Sequence, residues 1–111
     1  MTVKYVLRYE MAPDPDPDLG RLRELFPAHR HHWSGFQVDG TLVAIGPMEN
    51  PADGALGVFT TRDAAERFAT NDPFVTSGVV ESWMVTGWRE AILDDVGPDK
   101  GAAGDARGRD A

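Results

Sequence analysis

"TLVAIGPMENPADGALGVFTTRDAAERFA", residues 41–69, is the stretch that decides the fold. Its opening "TLVAIGP" is short, rich in β-branched and aliphatic residues and ended by Gly46-Pro47, so it reads as a strand. "MENPADG" is a turn-rich connection, and "GALGVFTT", residues 54–61, reads as a second strand weakened by its glycines. The two strands are expected to form a hairpin. Thr60 with Asp63 resembles a capping box ahead of Ala64, Ala65, Phe68 and Ala69, a narrow apolar face on a short helix that must stop by Pro73.

Upstream, the odd positions Val3, Tyr5, Leu7, Tyr9 and Met11 are apolar while Lys4, Arg8 and Glu10 occupy even ones, the period-two alternation of a half-buried strand. "APDPDPD", residues 12–18, cannot continue it, because each proline removes a backbone donor and restricts the residue before it. Leu19, Leu22, Phe26, His29, Trp33 and Phe36 then alternate spacings of three and four, drawing one stripe down a helix. Pro27 interrupts that stripe: either the helix kinks there or Pro27 opens the main helix at its first position. Gly40 closes the segment in both cases. A last strand falls within Val79 to Trp88, rich in Val, Trp and Met.

Strand, helix, strand, strand, helix, strand is the α+β, ferredoxin-like split βαββαβ arrangement, an antiparallel sheet with two helices on one face. The uncovered face is expected to carry Trp83, Trp88 and several Val and Tyr side chains, and to pair two copies into a two-fold homodimer. Residues 1–93 are read as this single domain. Residues 94–111 hold one aliphatic side chain larger than alanine, Val96, and are expected to form a disordered acidic tail.

Eleven basic residues against eighteen acidic ones leave a formal charge of -7, which repels phosphate backbones and anionic headgroups. Neither nucleic acid nor a membrane is an expected partner. With no cysteine there is no thiolate nucleophile, disulfide or Cys-type zinc site, and no apolar run approaches the ~20 residues of a membrane span. A cytoplasmic location is the expectation. No G-x-G-x-x-G, P-loop or G-x-S-x-G pattern occurs, so no cofactor is called for.

Chemistry concentrates in two places. "PAHRHHWSGF", residues 27–36, contains all three histidines. His29 lies inside the apolar stripe, His32 about 60° to one side of it and His31 roughly opposite, facing water. A ring that titrates near physiological pH on a buried stripe is a candidate acid or base; the plainer alternative is a core-edge histidine satisfied by a carbonyl. "DPFVTSG", residues 72–78, has Asp72 as N-cap, Pro73 at the first position and Gly78 as terminator. Beyond capping, such a carboxylate can fix one oxygen on backbone N–H groups and use the other to orient a histidine. His29 and His32, three apart on a helix, with Asp72 also form a conceivable metal set, although no HExxH pattern accompanies them.

These segments together resemble the YciI-like (YCII-related domain) family: "PAHRHHW", "GTLVAIGPM", "GALGVFTTRDAAERF" and "NDPFVTSGVVESWMVTGW" follow in the family's order over residues 3–89. The resemblance implies a subunit of the dimeric α/β-barrel type and a His-Asp pair in a cleft, which falls on His29 and Asp72 here. His32, Trp33, Phe74, Gly46 and Pro47, from the same motifs, are expected around the substrate. The family's leucine-rich helix is replaced here by Arg30, His31, His32 and Trp33, with Trp33 packing or narrowing the cleft. The chemical precedent in the family is elimination of chloride from a chlorinated hydroxyquinone. The expectation is proton abstraction by neutral His29 in elimination or isomerisation of a small cyclic or aromatic-derived substrate, in the manner of a dehydrochlorinase or muconolactone isomerase. The alternative is a non-catalytic small-ligand binding or interaction module of the same fold.

Overall fold

The structure, a computed structural model, describes residues 2–14, 16 and 19–91. The tail expected over 94–111 and the domain boundary at 93 lie outside the described residues. In chain order the elements are β1 (Thr2–Met11), α1 (Gly20–Val38), β2 (Leu42–Pro47), β3 (Ala55–Phe59), α2 (Arg62–Asn71), α3 (Pro73–Thr76) and β4 (Val80–Glu90), with a 3-10 turn at Pro51–Asp53 between β2 and β3. The four strands form one sheet in the order β2-β3-β1-β4, antiparallel at every pairing. This is the ferredoxin-like α+β arrangement. Among the described residues no helix is long and apolar enough to cross a membrane.

Register decides which side chains meet the helices. Tyr5, Leu7 and Tyr9 of β1 lie opposite Phe59, Gly57 and Ala55 of β3, and Leu7 and Tyr9 lie opposite Val85 and Trp83 of β4. These residues pack with Ala64, Ala65, Phe68 and Ala69 of α2 into one core, in which Phe59 and Phe68 are fully buried. Trp83 and both tyrosines therefore belong to the helix side, contrary to the expectation that they line the open face. The open face instead carries Leu56, Met84 and Trp88, all exposed, beside the Lys4–Glu90 ion pair at 2.6 Å. An alternating pattern reveals that a strand has two faces, while the covered one is set by where α2 docks.

Helix starts and stops follow local chemistry. The N-cap of α2 is Thr61, whose hydroxyl accepts from the Ala64 N–H, one residue later than the Thr60–Asp63 box. Thr61 is the last residue with extended backbone, and only a residue still outside the helix can turn its side chain onto the first turn. α1 runs continuously through Pro27, so the helix does not begin at that proline. It ends at Asp39, followed by Gly40 at φ +83, a left-handed position that suits glycine.

Gly54 sits at φ +115, and a Cβ there would meet the carbonyl oxygen of Tyr9. This close approach seats the start of β3 against β1. Gly46 has nothing within 4 Å of such a Cβ. Gly54→Ala is expected to cost about 1–3 kcal/mol, whereas Gly46→Ala stays within about 0.5 kcal/mol of the parent; urea denaturation of the two variants reads the difference.

Candidate functional site

Three elements converge on one carboxylate. Asp72 is the C-cap of α2 and the N-cap of α3, and it is wholly buried. Its backbone oxygen accepts from Val75 and Thr76 N–H at 2.8 and 2.9 Å, so the residue is held before its side chain is considered. The short α3 forms because Pro73 supplies a preset φ at its first position and Gly78, at φ +86, ends the turn that follows it.

A buried carboxylate must recover the hydrogen bonds it gives up in water. The Asp72 oxygens receive three donors. The Phe74 N–H reaches Oδ1 at 3.1 Å, the Tyr9 hydroxyl donates to Oδ2 at 2.6 Å, and His29 Nδ1 lies 2.8 Å from Oδ1 and 2.9 Å from Oδ2. Neither oxygen is left to one role: one is shared by the cap and the imidazole, the other by the phenol and the imidazole. This modifies the expectation of one capping oxygen and one free oxygen. Because carboxylate oxygens only accept, Nδ1 carries the proton, and Nε2 of the neutral ring is the lone-pair nitrogen.

The ring of His29 is clamped by aromatics. Phe74 stacks on it at 4.1 Å between centroids, while Trp33 and Phe68 meet it edge-on at 5.3 and 6.0 Å. Nδ1 is committed to Asp72, and among the described residues Nε2 has no hydrogen-bond partner. His29, 6% exposed, lines a cavity of about 610 Å³ between α1 and the sheet.

The other sequence candidates separate. Trp33, Phe74, Gly46 and Pro47 line this cavity with His29. His32 does not: its Nε2 donates to the Phe68 carbonyl at 2.9 Å, and its ring packs against Phe36 and Phe68. The reason lies in the end of α2. The Phe68 carbonyl would ordinarily accept from the Asp72 N–H, but that N–H goes to Ala69, so His32 takes the vacant place. His31 is exposed. With His29 turned to Asp72 and His32 to a carbonyl, the described residues contain no group of three His, Cys, Asp or Glu side chains that could hold a metal.

Tyr9 is the residue that sequence reasoning missed. It was legible only as an apolar position of β1. The available signal is chemical: a tyrosine on a covered strand face carries a hydroxyl that needs a partner. Burial, then the Asp72 charge and the hydrogen bond to it, raise the phenol well above its ordinary value of 10.0, so it stays a donor throughout the neutral range.

The sequence profile of the YCII-related domain family matches residues 6–89. Among solved structures the chain is similar to 5-chloro-2-hydroxyhydroquinone dehydrochlorinase (TftG) from Burkholderia phenoliruptrix AC1100, in complex with 2,5-dihydroxybenzoquinone. That match has 17% sequence identity and a TM-score of 0.63, over 79% of this chain and 95% of that one. It is also similar to protein Atu4242 from Agrobacterium tumefaciens, with 12% identity, a TM-score of 0.49, and coverage of 81% and 94%. At 17% identity the likeness to the dehydrochlorinase is one of fold. No curated protein matches the sequence.

A raised folded-state pKa means that above pH ~10 the unfolded chain loses the Tyr9 proton while the folded chain keeps it, so folding stability falls as pH rises. Below that pH the contribution is fully present. Parent and Tyr9→Phe are expected to differ in the slope of unfolding free energy against pH above ~10 by up to about 1.4 kcal/mol per unit, the parent falling faster. Denaturation at stepped alkaline pH measures it.

Proposed function

The chain belongs to the YCII-related domain family, and on that footing we propose that it is a small-molecule enzyme whose acid/base group is His29. Asp72 and Tyr9 serve to position and stabilise it. The observation that carries the reading is a ring that lines the cavity and has its Nδ1 held by both oxygens of a buried carboxylate.

In the proposed step Nε2 takes a proton from an acidic carbon or hydroxyl of a cyclic substrate. In an elimination the electron pair left behind forms the new double bond, and a leaving group such as halide departs with its own pair. In an isomerisation the imidazolium returns the proton to a different carbon. Asp72 fixes the tautomer beforehand and balances the positive ring afterwards, while Tyr9 and the Phe74 N–H keep the carboxylate oriented. A positioned base of this kind contributes ~10²–10⁴ in rate, enough for activated substrates. The similar dehydrochlorinase, whose structure holds 2,5-dihydroxybenzoquinone, lends support to cyclic oxygenated substrates.

A binding module remains the second reading, favoured by the small exposure of His29. A panel of halogenated phenols, hydroxyquinones and small lactones separates the two. Turnover or solvent-deuterium exchange is expected with the parent, falling ~10²–10⁴-fold in His29→Gln. Tight binding with neither reaction in the parent would instead establish the module.

The assembly proposed with this function is a two-fold homodimer through the open sheet face, where Leu56, Met84 and Trp88 offer the exposed apolar surface. Sedimentation is expected to give a dimer for the parent and a monomer for Met84→Lys/Trp88→Glu. A monomeric parent would rule the assembly out.

A further inference from the structure

The cavity is larger than one small ring requires. It measures about 610 Å³, whereas a cavity of ~150 Å³ holds one benzene ring. Its wall is apolar in a graded way. Near His29 stand the aromatic groups Trp33, Phe68 and Phe74, and Ile45, Pro47 and Ala55 of the β2-β3 hairpin supply aliphatic surface. Polar capacity is sparse. The Tyr9 hydroxyl is committed to Asp72, and among the described lining residues Arg23 is the one Lys, Arg, Asp or Glu.

We propose that the natural ligand is a hydroxylated aromatic or quinone of two or three fused rings. Its one acidic hydroxyl or enol sits at His29 Nε2 and its apolar body extends along the cavity towards the hairpin. The proposal rests on the acid/base reading of the same site and names its substrate class. A multiply hydroxylated single ring would leave most of the space unfilled and would give up hydrogen bonds to water that this wall does not replace. A flat fused ring gains on both counts, because Phe26 and Trp33 offer aromatic surface and each added ring covers more apolar wall.

Equilibrium dialysis of phenol, 2-naphthol and 2-anthrol, which share one hydroxyl head, tests the proposal on the full chain. Affinity is expected to rise by about tenfold for each added ring. Leu22→Trp and Ile45→Phe, which reduce the cavity from α1 and from β2, are each expected to lower the 2-anthrol to phenol affinity ratio by about tenfold or more. Circular dichroism melts certify the fold, and either folded variant suffices. Equal affinities across the series in the parent, or an unchanged ratio in the folded variants, would overturn the proposal. The acid/base reading fails separately: a clear size trend without His29-dependent deuterium exchange upholds the ligand class and removes that chemistry. Exchange accompanied by a flat series removes only the ligand class.

Discussion

The structure depends on the cost of hiding one negative charge. Asp72 is fully buried, and an isolated carboxylate in such a place is tolerated only with partners of good geometry. Those partners come from three separate elements: a phenol from β1, an imidazole from α1 and a backbone N–H from α3. The carboxylate thus joins the sheet and both helical segments at one point. A one-residue slip of β1 would turn Tyr9 to the open face and strand the charge, so strand register and site geometry are a single constraint.

Sequence pattern carried the periodicities well and the distances poorly. Alternation in β1, the cap-proline-glycine grammar of residues 72–78 and the helical stripe were all readable, because each is a local property of backbone geometry. What was not readable depends on partners far along the chain. Tyr9 and Asp72 are 63 residues apart, and no spacing rule connects a strand tyrosine to a helix cap. His29 and His32 both fall on or near the inward side of α1, yet one meets a carboxylate and the other a spare carbonyl at the end of α2. Two consecutive threonines left the start of α2 uncertain by one residue, since only the backbone decides which is the last outside the helix.

The stripe of α1 shows the same limit. Its period identifies Leu22, Phe26, His29, Trp33 and Phe36 as one side of a helix, but only His29 and Phe36 are buried, and Phe26 is 43% exposed. The contrast is with α2, whose Ala64, Ala65 and Ala69 let that helix lie close against the strands. Small side chains bring α2 down onto the sheet, while the bulky stripe of α1 holds its first half away and leaves the cavity. A void of this kind forfeits dispersion contacts that a filled core would have. A fold optimised for packing alone would have closed it.

Holding that space open and burying Asp72 work together chemically. In surroundings of low polarity a charge interacts strongly with its neighbours, whether the result is favourable or not. While His29 is neutral, the buried cluster carries one uncompensated negative charge. When Nε2 accepts a proton, the cluster becomes an ion pair at 2.8 Å with no net charge. In the proposed step the lone buried negative charge would thus become a paired one, and the Tyr9 hydroxyl holds the carboxylate in place. The residue that constrains the fold is thereby the one that orients the neighbouring ring.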